Sequence, residues 1–191
     1  MNKLIEKINA IPKGFFSFND LRKIAGAQDQ SLRVAVSRMI KRGEIIKISK
    51  GFYASSLANV DWEKYAAEYY PPNYLSFEWV LSKKNILSQK SVNLTLATTR
   101  RSRRINTPQN ILIYHHLNEK IFWGFTRSEK SYVADAEKAF LDLAYLSLNG
   151  YAKFDPEEMN LKLLDKNKLR KYLLKIRSKR LTKLIKQLEL V

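Results

Sequence analysis

The chain has 191 residues, no cysteine and only two histidines, with 35 Lys or Arg against 18 Asp or Glu, for a net charge of +17 and an isoelectric point near 10.0. These values exclude a disulfide scaffold, thiol chemistry and a cysteine-built metal site, and the adjacent pair His115 and His116 is too small a ligand set for zinc. With 45% hydrophobic and 12% aromatic residues the chain can bury a core, and a cationic surplus this large fits a polyanionic partner.

The surplus is uneven. Residues 1–56 carry 11 basic and 4 acidic groups, residues 57–150 carry 12 and 9, and residues 151–191 carry 12 and 5. Two basic ends therefore flank a nearly balanced middle. No apolar run approaches the roughly 18 residues of a membrane span. Lys3, Glu6 and Lys7 break up any signal-peptide core. The expected location is cytoplasmic, with no membrane partner.

Residues 2–11 place Leu4, Ile5 and Ile8 on one side of a first helix, which Pro12 and Gly14 stop. Ser17 or Asn19 can cap a second helix that runs to about Ala25 and closes at Gly26. Asp29 or Ser31 can cap a third. From Gln30 to Arg42 the apolar residues Leu32, Ala35, Val36, Met39 and Ile40 recur at helical spacing. At about 100° per residue they share a face. The opposite face carries Gln30, Val34, Ser37 and Lys41, flanked by Arg33 and Arg38. Gln and Arg are forked side chains able to read base edges in a major groove, and a valine can meet a thymine methyl. Gly43 ends the helix. Residues 44–48, the turn Ser49, Lys50 and Gly51, and residues 52–54 then read as a hairpin with a basic tip. Three short helices and a two-stranded wing make a winged helix-turn-helix, whose partner is duplex DNA.

After a short connector at residues 55–60, residues 61–70 are aromatic with helical period, and Pro71, Pro72 and Asn73 break the chain. Residues 74–84 read as another helix. Trp62, Tyr65, Tyr69, Tyr70, Tyr74, Phe77 and Trp79 make this segment densely aromatic, as core packing requires. Strand-like runs follow at residues 92–98, 111–116, 121–126 and 132–134. The cluster Arg100, Arg101, Ser102, Arg103 and Arg104 lies between the first two, as a loop able to touch phosphate. Such contacts position a protein without reading sequence. Asp135 can cap an apolar helix that runs to about Leu148, with Glu137 at its positive end and Asp142 on its polar face. The remaining residues give basic helices, with Asp165 and Ser178 as breaks or caps. Their apolar stripes are Leu169, Tyr172, Leu173 and Ile176, then Leu181, Leu184, Ile185 and Leu188.

The expected fold class is α+β. A winged helix-turn-helix domain covers residues 1–57, and a mixed α/β domain ending in basic helices covers 58–191. The candidate DNA contacts are Gln28, Gln30, Ser31, Arg33, Val34, Ser37, Arg38 and Lys41 about the third helix. Lys47, Ser49 and Lys50 join them on the wing, with Arg100, Arg101, Arg103 and Arg104 further along. No catalytic residue, metal or cofactor is expected. A nuclease would need paired carboxylates for a divalent metal, commonly with a lysine two residues after one of them, and no Asp or Glu here has that lysine. There is also no Gly-rich phosphate loop. A stand-alone repressor is the other rival.

Three stretches carry a family resemblance. They are the wing from Gly43 to Tyr53, the segment Tyr74-Leu75-Ser76-Phe77-Glu78-Trp79-Val80-Leu81, and Ser131 to Leu146 with its Glu137-Lys138-Ala139-Phe140-Leu141-Asp142 core. Together the chain resembles the AbiEi-type antitoxins and transcriptional regulators of bacterial type IV toxin–antitoxin systems, from about residue 5 to residue 150. It departs at Ala136, where the family often has proline, a rigid helix start. The resemblance implies a repressor that binds inverted repeats in its own promoter as two monomers per operator. It also implies neutralisation of a nucleotidyltransferase-like toxin encoded next to it.

Overall fold

The computed structural model describes residues 3–26 and 28–191. Asn2, assigned by periodicity to the first helix, lies outside the described residues, as does the Leu4 side chain. The protein is mixed α+β and divides into two compact units. The first takes in the residues up to Tyr65 together with Asn106–Asn110, and the second Ala66–Ile105 with Ile111–Val191.

In the first unit, helix α1 spans Lys3–Asn9, strand β1 Phe16–Ser17, α2 Phe18–Ala25 and α3 Asp29–Lys41, followed by β2 at Ile46–Ser49 and β3 at Phe52–Ala54. The periodic residues do what their spacing requires: Ile8, Phe16, Leu21, Leu32, Val36, Met39 and Ile45 form one buried cluster. Ser17, rather than Asn19, caps α2. Its Oγ accepts from the Asp20 N–H at 3.1 Å while Asp20 Oδ2 accepts from the Ser17 N–H at 2.9 Å. This reciprocal box satisfies two otherwise orphaned donors, and Gly26 closes the helix in a left-handed conformation. Ser17→Ala is expected to cost about 1 kcal/mol, read from thermal or urea melts. Burial opposes ionisation of Asp20, but the hydrogen bonds from Ser17 and the nearby Lys13 outweigh it and hold the carboxyl below its ordinary value. Its contribution is therefore full above about pH 4 and fades as the pH falls through the lower folded value. Asp20→Asn should flatten that acid limb.

Three local expectations are corrected here. Neither Asp29 nor Ser31 caps α3: the N-cap is Gln28, which makes no side-chain cap bond, and Asp29 is the first helical residue. There it sits favourably at the positive end of the helix, while the Ser31 hydroxyl donates to the Gln28 carbonyl at 2.9 Å. The first hairpin strand begins at Ile46, since Glu44 and Ile45 are spent on the helix exit. The Gly43 N–H donates to the Ile40 carbonyl and the Glu44 N–H to the Met39 carbonyl, both at 3.0 Å, with Gly43 at φ +71°. That is a Schellman ending, which needs a left-handed residue. Finally, the sheet has three strands in the order β1-β3-β2, because Phe16 and Ser17 pair antiparallel with Tyr53 and Phe52.

The second unit receives the end of α4 (Trp62–Tyr69), then β4 (Asn73–Leu75), α5 (Phe77–Lys83), β5 (Leu94–Thr98), β6 (Arg103–Asn106), β7 (Ile111–His116), β8 (Phe125–Arg127), β9 (Tyr132–Ala134), α6 (Ala136–Ser147), α7 (Lys166–Ile176) and α8 (Lys179–Gln187). The sheet order is β6-β7-β5-β4-β9-β8. Strand β4 is antiparallel to β5 and parallel to β9, and β5 is parallel to β7.

The expected helix over residues 74–84 is in fact a strand followed by a helix. Asn73, Tyr74 and Leu75 are all buried within the sheet, and burial on both faces erases the alternation that marks a strand. The run 92–98 pairs only from Leu94, and 121–126 resolves into a 3-10 turn at Glu119–Ile121 and strand β8. The arginine cluster is not all loop: Arg103 and Arg104 lie on β6 at the sheet edge.

Asp135 caps α6, with its Oδ1 accepting from the Lys138 N–H at 2.9 Å. Asp142 is not a polar-face residue. It is 1% exposed and ion-paired with the fully buried Lys138 one turn earlier. The Tyr74 and Ser76 hydroxyls each donate to Asp142 Oδ2 at 2.8 Å, and the Lys138 ammonium also donates to the Tyr74 oxygen at 2.9 Å. Asp165 and Ser178 cap α7 and α8, and Leu169, Leu173, Leu181 and Ile185 are buried along the apolar stripes.

Candidate nucleic-acid interface

Helix α3 and the hairpin build one cationic face on the first unit. Leu32, Val36 and Met39 anchor the inner side of α3, so the outer side is fixed by the 3.6-residue period. Gln30, Arg33, Ser37, Arg38 and Lys41 are exposed there, and Val34 is 48% exposed. Across a groove of about 690 Å³ stand Lys47, Lys50 and Gly51 of the hairpin, facing Arg33, Ser37 and Ile40 of α3. Gly51, at φ +80°, makes the tight tip that a side chain would disfavour.

No acidic residue lines this groove. Three of the unit's carboxylates are engaged elsewhere: Asp20 with Lys13 at 3.5 Å, Asp29 with Arg22 at 3.9 Å, and Glu44 with Arg42 at 3.0 Å. Among the described residues, Arg33, Arg38, Lys41, Lys47 and Lys50 have no carboxylate partner. Their charge is therefore available to an outside anion.

Sequence reasoning named these side chains but missed the aromatic floor beneath them. The Arg33 guanidinium lies 5.0 Å from the centre of the Phe18 ring, a cation–π contact. Tyr53 also lines the groove, and burial raises its phenol above the usual value, against the opposing pull of Arg33. Tyr53 reads in sequence as a strand residue and Phe18 carries no assigned role, and the pairing of β1, which immediately precedes Phe18, with β3 brings both to the groove beside Arg33. Two candidates are already engaged. Ser31 donates within its own turn, and Ser49 accepts a hydrogen bond from the Tyr65 hydroxyl at 2.7 Å. Gln28 is exposed at the N-cap of α3.

The remaining candidates belong to the second unit. Arg100 and Arg101 lie in the turn after β5, and all four arginines of the cluster are exposed. The Arg100 guanidinium lies 5.3 Å, and that of Arg103 5.5 Å, from the Tyr70 ring centre, and Arg103 is also 5.8 Å from Tyr69. His115 is half-buried and edge-on to Phe77, and burial lowers its pKa. His116 is exposed, and its Nδ1 donates to the Arg100 carbonyl at 3.0 Å.

Among the described residues no group of three or more His, Asp or Glu could hold a metal ion, and no helix is long and apolar enough to cross a membrane. No curated protein matches the chain. The Glu137–Asp142 motif lies outside the part of the chain that a family model covers. That part is residues 4–56, which hold α2, α3 and the hairpin, and over it the chain matches the family described as transcriptional regulator, AbiEi antitoxin.

Proposed function

We propose that the chain is a DNA-binding autoregulator with antitoxin activity. Residues 1–57 act as a winged helix-turn-helix domain that seats α3 in a major groove, with the β2–β3 hairpin as the wing. Residues 58–191 form the domain through which a nucleotidyltransferase-like toxin is neutralised. One observation carries the reading: the outer face of α3 and the facing hairpin present five cations with no carboxylate partner among the described residues, three of them (Arg33, Lys47 and Lys50) lining a groove free of acidic residues. The match of residues 4–56 to an antitoxin regulator family supports it.

Gln30, Arg33, Val34, Ser37 and Arg38 contact base edges or the phosphates beside them, while Gln28, Ser31, Lys41, Lys47, Ser49 and Lys50 fix the register. Arg100, Arg101, Arg103 and Arg104 add phosphate contacts. One such helix reads a short half-site, so two copies occupy an inverted repeat. No catalytic residue or cofactor takes part, and the protein works in the cytoplasm.

Binding displaces condensed cations from DNA, so log affinity falls with log salt by about 0.9 per phosphate neutralised. A footprint on the upstream DNA of the chain's own gene should show a two-fold symmetric protected site. Arg33→Ala is expected to weaken that binding by about 1–3 kcal/mol and relax sequence preference, whereas Lys50→Ala should reduce the salt slope by about one with little change in preference. Unchanged affinity and an unchanged footprint for Arg33→Ala and Arg38→Ala would remove α3 from the interface.

A further inference from the structure

Between residues 166 and 188 the chain has ten Lys or Arg and no Asp or Glu. The second unit itself employs several of these cations. Lys168 pairs with Asp135 at 3.2 Å and Glu137 at 3.1 Å, Lys166 donates to the Glu189 carbonyl, Arg180 donates to the Leu148 carbonyl, and the Lys175 ammonium lies 4.1 Å from the Trp123 ring centre. Arg177, Lys179, Lys183 and Lys186 are different. They have no carboxylate partner among the described residues, and all four line one groove of about 660 Å³ where α7 meets α8.

Leu173 and Leu174 also line this groove. Leu173 belongs to the buried stripe, but Leu174 is one position off it and 77% exposed, more than any other large hydrophobic side chain among the described residues. An apolar side chain held in a ring of cations distinguishes between occupants. A nucleic-acid backbone would engage the cations but set hydrated phosphates against Leu174, which is unfavourable for both. A second copy would bring the same four cations face to face. An acidic helix with an apolar stripe satisfies both parts at once, because its leucines cover Leu174 and its carboxylates meet the rim, where opposite potentials speed encounter and fix register.

We propose that the α7–α8 groove docks an acidic amphipathic segment of a partner protein, with its apolar side chains against Leu173 and Leu174 and its carboxylates on Arg177, Lys179, Lys183 and Lys186. The docking is independent of the DNA reading, since it uses none of the residues assigned to α3 or the hairpin.

The test uses the full chain and a fluorescent synthetic peptide with Leu at i, i+3, i+4 and i+7 and Glu elsewhere, with anisotropy as the readout. A peptide of the same pattern with Ser for Leu is the control. The Leu peptide should bind and the Ser peptide should not. Leu174→Ser should weaken the Leu peptide by about tenfold or more, the loss expected for one uncovered leucine. Lys183→Glu with Lys186→Glu should abolish binding at low salt. Both changes are at exposed positions, and circular dichroism checks that the helices persist. Absence of peptide binding overturns the proposal, as does equal binding to wild type and Leu174→Ser. Loss of random-duplex affinity in the double lysine variant, with peptide binding indifferent to Leu174→Ser, would make the surface a phosphate track. A dimer in sedimentation that Leu174→Ser dissociates would make it a self-association face.

Discussion

Replacing Lys138 with alanine is expected to destabilise the second unit by about 3–5 kcal/mol, the usual penalty for removing one member of a buried ion pair. The substitution leaves Asp142 fully enclosed and without its cation. Burial already pushes the Asp142 carboxyl upward, and Lys138 is the strongest influence pulling it back, ahead of Tyr74 and Ser76. Tyr74 depends on the same pair: burial and the adjacent Asp142 both raise its phenol, so it remains a protonated donor to the carboxylate. The lysine stem is equally confined. A Cβ added at Gly124 would come within 2.9 Å of Lys138 Cγ, and the ammonium lies 5.3 Å from the Trp123 ring centre. Urea unfolding followed by tryptophan fluorescence reads the effect. Removing both charges, as Lys138→Met with Asp142→Leu, should cost much less than Lys138→Ala alone, because no uncompensated carboxylate remains. If the single and double changes were equally harmful, the loss would be one of packing and not of charge.

Gly14→Ala should be the most damaging change in the first unit, at about 2–4 kcal/mol. Two costs add. Gly14 sits at φ +69°, a left-handed conformation that a side chain adopts only with strain. A Cβ there would fall 1.8 Å from the carbonyl oxygen of Asn59. Neither can move cheaply: the neighbouring Lys13 carbonyl accepts from the Asp61 N–H at 3.2 Å, and the Leu57–Asn59 turn is fixed by Ser56, whose hydroxyl accepts from the Ala58 N–H at 3.3 Å. Relief therefore requires backbone displacement, as in an overpacked core. Thermal melts of Gly14→Ala against Gly26→Ala separate the two costs. Gly26 has a similar positive φ but open space around it, so it should lose only the conformational part. Equal losses would rule out the clash.

The first unit was legible because its signals are local. The Ser17 cap (one of two candidates, with Asn19), Gly26, Gly43 and the heptad-like spacing of Leu32, Val36 and Met39 each act within a turn or two of chain, and the structure has each in place. The exposure of Gln30, Arg33, Val34, Ser37, Arg38 and Lys41 follows from that same period. What was not legible depended on pairing across long separations. Strand β1 is two residues long and exists because Phe16 and Ser17 meet Tyr53 and Phe52. Strand β4 is interior to the sheet and buried on both faces, so every side chain on it is enclosed and its alternation vanishes. The burial of Asp142 is hidden from the sequence for the same reason. A carboxylate at helical spacing from a lysine reads as a surface pair until Tyr74 and Ser76, more than sixty residues earlier, close over it.

Strand β6 has a further consequence. It is the last strand on one side of the six-stranded sheet, and β8 is the last on the other. A terminal strand leaves a row of backbone donors and acceptors ready to recruit a stray segment. Here each border carries arginine, Arg103 and Arg104 on one and Arg127 on the other, all pointing to solvent. Charge at those borders disfavours edge-to-edge pairing of one molecule with the next.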